Sequence, residues 1–356
     1  MSSIKSIRFY EVIRPLKVTF STALGKKDVM RSVIVNVKLD SGLSGLGECP
    51  TSFALKQETI PIIKEILTAA SHLLLNTPIA EYEGKIKDLR KKYFQYPMTI
   101  SGLETALFRA YLACKHESEH DRWGGIHNSL ETDITIPFIT DPVLLDKWVG
   151  HMAAIGFSAF KLKVSGDIGA DKIYISHIYE KLKNETEGFT IRLDGNQWYT
   201  EKSFLRLIDF LTQKDYMVEL CEQPLPKTNY KGLKEIKKRS PMPVILDETV
   251  FTAHDLMRVI QEDLGHGVNI KIAKSGISES LNIFSMAKAH SLRLMIGCMT
   301  ETMTGLSTGI YFALGTGGFD YIDLDAIHFL HHKNRYGDIN IEGPRYTYKK
   351  QTFPLT

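Results

Sequence analysis

The sequence is poor in the features that mark several classes of protein. Only four of its 356 residues are cysteine (Cys49, Cys114, Cys221 and Cys298), widely spaced and without a Cys-x-x-Cys pair. That disfavours a disulfide scaffold or a zinc knuckle and fits a reducing, cytoplasmic setting. No apolar run approaches the roughly 20 residues that a bilayer span needs, and Met1–Arg8 has no apolar secretory core. An excess of one charge is missing too: 44 Lys and Arg against 41 Asp and Glu leave a net charge of +3. With no dense basic block, this argues against a nucleic-acid or anionic-membrane partner. The Gly-rich first turn that a doubly wound nucleotide-binding sheet requires is also lacking.

What is present is ordinary globular composition, 43% hydrophobic and 24% charged, in a chain long enough for more than one domain. Two regimes of pattern follow one another. From Ser6 to about Gly47 the chain reads as strands and turns: Ile7–Ile13 alternates, and Ser32–Leu39 runs into a turn at Asp40-Ser-Gly. Helical stretches follow over 60–75, 79–93 and 101–115, the last with Ser101 as N-cap and Glu104 completing a capping box. Segregated strands and helices predict a small α+β domain over residues 1–125. From Ile134 the rhythm becomes strand–helix alternation. Short apolar strands begin near residues 134, 159, 189, 217, 243, 267, 293 and 319, at intervals of 24 to 30 residues. Asp141-Pro142 opens a helix that closes at Gly156, and Thr200 and Thr252 open two more. Eight parallel-type strands at near-constant spacing point to a (β/α)8-like, TIM-type barrel over residues 126–325. The tail, 326–356, is expected to rejoin the first domain.

Charged residues fall at the C-terminal strand ends, where barrel enzymes place their chemistry. Lys161 and Lys163 share one face of the second strand, and Asp194, Glu222, Asp247 and Lys271 end strands three to six. Taken singly, an acid or a lysine at a strand end is more often a solvated rim residue or a helix cap. Six at successive strand ends converge on one mouth. Three carboxylates gathered there cannot all stay ionised without a cation, and oxygen-only ligation favours Mg²⁺ or Mn²⁺ over Zn²⁺. Lysines from opposite walls would flank whatever the metal holds, and a lysine beside another lysine and a divalent cation becomes a usable base near neutral pH.

The order Lys-x-Lys, Asp, Glu-Gln-Pro, Asp-Glu, Asn-Ile-Lys resembles the enolase superfamily, muconate-lactonising subgroup, and the likeness spans nearly the whole chain, including Gly45-Leu-Gly-Glu48. The resemblance implies Mg²⁺ on Asp194, Glu222 and Asp247, with Lys163 and Lys271 as acid/base residues on opposite faces of an enediolate. Lys161 would assist electrostatically and contact the substrate carboxylate. Asp323-Leu-Asp325 at strand eight resembles the pair by which dipeptide epimerases hold the substrate ammonium, and two acids two residues apart on a strand suit a cation. By the same likeness Thr135 and Cys298 line the dipeptide site. The resemblance thus implies a small-molecule dipeptide substrate and a homo-oligomeric barrel enzyme.

Departures bear on substrate choice. Many relatives selective for Ala-Glu carry an Arg after the segment matching Thr22-Ala-Leu24, where this chain has Gly25. An acidic side chain loses that partner, with Lys26 or Lys27 as a flexible substitute, so a neutral or hydrophobic side chain is expected. Gly195 stands where Ala is usual, and Lys274-Ser-Gly-Ile lacks a common second Gly. His328, His331 and His332 read as a surface cluster, and Gly315–Gly318 as a turn at the stability face. Alternatives remain a cycloisomerase, N-acylamino-acid racemase or succinylbenzoate synthase on the same lysines, and a non-catalytic metal-dependent binding protein.

Overall fold

The computed structural model describes residues 2–22, 25–331 and 336–349; His332 and the Ala23-Leu24 segment lie outside them. The chain opens with an antiparallel sheet of β1 (Ile4–Thr22), β2 (Gly25–Leu39) and β3 (Ser44–Pro50), in that order. Helices α1 (Ile60–Leu74), α2 (Tyr82–Lys92) and α3 (Pro97–Lys115) follow, α3 packing against the sheet, and a short α4 (Glu119–Arg122) leads out through β4 (Ser129–Glu131).

One expectation is overturned here. The third helix begins at Pro97, a turn before Ser101, and both Ser101 and Glu104 are buried inside it. Its first amides are instead served from a distance. Glu58 accepts from Met98 N (3.0 Å), Thr99 N (2.7 Å) and Thr99 Oγ1 (2.6 Å). A carboxylate at a helix N-terminus meets both the orphan donors and the favourable end of the dipole. Ser101 and Glu104 are thereby left for the second domain, as described below.

The barrel strands are β5 (Ile134–Ile136), β6 (Ala159–Lys163), β7 (Thr190–Asp194), β8 (Val218–Glu222), β9 (Val244–Leu246), β10 (Gly267–Lys271), β11 (Arg293–Gly297) and β12 (Tyr321–Asp323). They form one parallel sheet in sequential order. The intervening helices are α5 (Pro142–Ala154), α6 (Ile168–Glu185), α7 (Glu201–Gln213), α8 (Tyr230–Arg239), α9 (Ala253–Glu262), α10 (Ile272–Ala289) and α11 (Met303–Thr316). Asp141 caps α5, and Thr200 and Thr252 cap α7 and α9 within capping boxes, as the sequence predicts. Between the last strand and the first, side chains supplement the ladder. Besides Asp133 N to Ile322 O (3.2 Å), Leu324 N donates to Thr132 Oγ1 (2.7 Å) and Thr135 N to Asp325 Oδ2 (2.7 Å).

Inside the barrel only a small apolar cluster remains, Leu220, Ile245, Met295 and Tyr321. The inward positions above it are polar, because residues two apart on a strand face the same way. After β12, a 3-10 turn over Ala326–Phe329 leads to a hairpin of β13 (Ile339–Glu342) and β14 (Arg345–Tyr348), which pairs with β4. The expected surface histidines are also corrected. His331 is exposed, but His328 is buried, its ring edge-on to Phe157 and stacked against Tyr346. No helix among the described residues is long and apolar enough to cross a membrane.

Candidate active site

The strand ends bring Lys161, Lys163, Asp194, Glu222, Asp247 and Lys271 together in buried positions at the mouth of the barrel. Lys163 Nζ donates to Asp194 Oδ2 (2.5 Å), Lys271 Nζ to Asp247 Oδ2 (2.8 Å) and Lys161 Nζ to Glu222 Oε2 (3.2 Å). Lys161 also pairs with Asp323. Burial alone would raise the carboxyl pKa values. The lysine charges overcome it and hold Asp194, Glu222 and Asp247 below the ordinary range. Conversely, burial pulls Lys161 and Lys271 down, but Asp323 and Glu222 around the first, and Asp247 and Glu222 around the second, hold both well above the usual value.

Among the described residues, the acids whose oxygens gather within 4.8 Å of one another are Asp133, Asp323 and Asp325, not the predicted Asp194, Glu222 and Asp247. The reason is visible in the partners: lysine ammoniums stand between the members of the predicted set. The gathered acids are themselves committed, Asp133 to Arg192 (2.8 Å), Asp323 to Lys161 and Asp325 to the Thr135 amide. Burial and Asp323 push Asp133 well up, and burial, with Asp325 and Glu222, raises Asp323 against the pull of Lys161.

Asp194, Glu222 and Asp247 nonetheless fit a hard divalent cation. They are hard oxygen donors on three adjacent strands. Beside them Asn196 donates to Glu248 Oε1 (3.3 Å), which leaves Asn196 Oδ1 and Glu248 Oε2 buried and without a partner. Unpaired buried acceptors are costly unless something positive meets them.

Asp323 ends β12, whereas Asp325 lies past it at the start of the 3-10 turn, so the same-side argument for a continuous strand does not apply. The two are brought together by the chain's turn. Asp323 Oδ1 is buried without a partner, and Asp325 Oδ1 lies 3.7 Å from Cys298 Sγ. Thr135 and half-buried Cys298 line the same cleft as Lys161, Lys163, Lys271, Asp323 and Asp325.

Several residues escaped the sequence reading. Lys274 donates to Asp247 Oδ1 (2.7 Å) and Asn269 to Glu222 Oε1 (2.7 Å). Asn269 was within reach, being two residues from Lys271 on one strand face. Lys274 was not, because it starts the following helix and returns to the mouth only through tertiary folding. Arg192, inward on β7, is a third such residue. It bonds Asp133, Glu219 and Ile322 O.

A sequential parallel barrel, roofed by an α+β domain and carrying three acids on adjacent strands between two lysine-bearing ones, defines an enolase-type barrel enzyme. The chain belongs to the mandelate racemase/muconate lactonizing enzyme family: the model of that family's N-terminal domain matches residues 4–115, and the enolase C-terminal domain-like model matches residues 145–351. It is 30% identical over 349 residues to the L-Ala-D/L-Glu epimerase of Thermotoga maritima, covering 97% of each chain. It is 29% identical over 332 residues to the hydrophobic dipeptide epimerase of Enterococcus faecalis, covering 92% of this chain and 91% of the relative. Among solved structures, the substrate-liganded L-Ala-D/L-Glu epimerase of Bacillus subtilis superposes with a TM-score of 0.90 at 28% identity, covering 98% of this chain and 96% of that one. The Enterococcus faecalis dipeptide epimerase complexed with Mg and L-Leu-L-Tyr gives 0.88 at 26% identity, covering 98% of each.

Proposed function

We propose that this protein is a Mg²⁺-dependent dipeptide epimerase that inverts the α-carbon of the C-terminal residue by two-base proton transfer. The observation that carries this reading is the placement of Lys163 on β6 and Lys271 on β10. They flank the strands that bear Asp194, Glu222 and Asp247, and both line the cleft. In this reading Asp194, Glu222 and Asp247 hold the metal, whose charge would offset the negative charge that grows on the substrate carboxylate. Lys161 contacts that carboxylate. One of Lys163 and Lys271 removes the α-proton, and the other returns a proton to the opposite face. Asp323, with its free Oδ1, and Asp325 anchor the dipeptide ammonium, with Thr135 and Cys298 beside them. In this reading a first domain, 1–125, caps the mouth, a second, 126–325, supplies the chemistry, and the described part of the tail 326–356 ties back to the first through Leu330 and His331.

The relatives named above include epimerases of acidic and of hydrophobic dipeptides, so the side chain is read from this chain's own cleft. A neutral or hydrophobic one is favoured, because a Cβ at Gly25 would lie 2.9 Å from the Phe53 ring and that wall cannot carry an arginine without moving it. The test is ¹H NMR in D₂O with Mg²⁺ on L,L-dipeptides. α-Proton exchange with a rising diastereomer signal, lost on adding EDTA, is the expected result. Asp323→Ala should lower kcat/KM for dipeptides by roughly ten- to a hundredfold through loss of a charged contact. Full dipeptide activity in that variant, or turnover of N-acyl amino acids alone, would transfer the assignment to the other chemistries of this barrel family.

A further inference from the structure

The cleft runs outward from the lysines to strands β1 and β2, and β1 is docked on the barrel by Phe138 N donating to Ser21 O (3.2 Å). Phe20 and Lys27 stand directly opposite each other across the strand pair, and both line the cleft with Phe53. Lys27 Nζ lies 5.8 Å from the Phe20 ring centre and 5.7 Å from that of Phe53, within cation–π range. The same Phe20 ring lies 5.9 Å from Lys163 Nζ. A side chain on the carbon served by Lys163 can therefore run along Phe20 towards Lys27. Lys26, its neighbour in sequence, is exposed and does not line the cleft.

Charge sets Lys27 apart. Each of the other cleft lysines, Lys161, Lys163, Lys271 and Lys274, touches a carboxylate. For Lys27 none is found among the described residues. Its two contacts are aromatic faces, and burial lowers its pKa to about 8. An ammonium desolvated without a counter-charge repels a second cation strongly and welcomes an anion or a ring.

Resting on the dipeptide reading, we propose that Lys27, held between Phe20 and Phe53, selects substrates by the charge of the epimerised residue's side chain. Aromatic side chains are taken best, on the two rings. Acidic ones come second, on a single flexible ammonium, and cationic ones are turned away.

The test is kcat/KM at pH 7 for L-Ala-L-Phe, L-Ala-L-Glu and L-Ala-L-Lys, read by NMR. The wild type should rank them in that order, with L-Ala-L-Lys at least roughly tenfold below L-Ala-L-Phe. In Lys27→Met the Lys-to-Phe ratio should rise by about tenfold and the Glu-to-Phe ratio fall by a similar factor, with Lys27→Glu moving both further. Lys26→Met should leave both ratios where they are. Ratios unmoved in both Lys27 variants, or a wild type that accepts L-Ala-L-Lys as readily as L-Ala-L-Phe, overturn the selector role alone. If none of the three dipeptides is epimerised, the dipeptide reading itself fails, and this proposal falls with it.

Discussion

Two regions of this protein bury charge, and they do so to different ends. At the seam between the domains Arg109, Glu48 and Glu104 have all their donors or both carboxylate oxygens engaged, although Arg90 Nε and Glu119 Oε2 beside them are buried without a partner. Arg109 spends all five of its donors, on Glu119, Leu46 O, Thr304 O, Ser307 and Thr308. Glu48 accepts from Thr302 N, Thr302 Oγ1 and Gly305 N, which fastens β3 to the start of α11. Glu104 takes Arg90 (2.5 Å), the amides of Ile277 and Ser278 (3.0 Å each) and the Ser278 hydroxyl. At the barrel mouth the charges are paired too, yet Asp323 Oδ1, Asn196 Oδ1, Asn269 Oδ1 and Glu248 Oε2 are buried without partners. Saturated buried charge fixes one domain on the other. Acceptors left over along a cleft, as those of Asn196, Glu248 and Asp323 are, can be met by a group that enters it.

That contrast can be broken experimentally. The largest effect belongs to the mouth: Lys163→Ala and Lys271→Ala should each lower epimerisation by about 10³-fold or more, while α-proton exchange of one epimer survives at the remaining lysine. Normal epimerisation in both variants would sink the two-base scheme. At the seam, Glu104→Ala strands Arg90 and two amides and should cost about 3–5 kcal/mol in urea unfolding. Gly276→Ala probes the same knot. Its φ is +74° and a Cβ there would sit 1.8 Å from Arg90 Nη2, so it should also destabilise markedly.

Next comes a titration. Burial, and then Glu48, push the Glu301 pKa up to about 8, so the folded state keeps a proton that the unfolded chain releases near 4.5. Its contribution to stability is therefore complete below pH 4.5 and drains away as pH rises towards 8, by up to about 1.4 kcal/mol per pH unit for this one proton. Glu301→Gln should flatten that part of the stability–pH curve; superimposable curves would contradict the assignment. Smallest is Ser101→Ala, which removes one bond, Ser101 Oγ to Ile272 O (2.5 Å), and should cost about 1 kcal/mol in the same unfolding assay.

The sequence was read most reliably where a residue's position depends on its own strand. Lys161, Lys163, Asp194, Glu222 and Lys271 lie within their strands, at or near the C-terminal ends, and Asp247 follows one directly. It failed where a local pattern competes with a distant partner. Ser101 and Glu104 have capping-box spacing, but Glu58, more than 40 residues away in the chain from Thr99, takes the helix start. His328 has the spacing of an exposed face, yet Phe157 and Tyr346 close over it. Lys26 and Lys27 are indistinguishable in the sequence, and nothing local shows that Phe53 waits for the second.

By itself, then, the sequence determined the barrel and the acids and lysines at its mouth, because strand period and strand ends are local properties of a chain. The pairing of Lys27 with two rings, the closure of the barrel through Thr132 and Asp325, and the use of Glu104 and Arg109 as rivets were decided by tertiary structure alone. Each depends on groups far apart in sequence meeting away from water, where a charge must find its partner or be left without one.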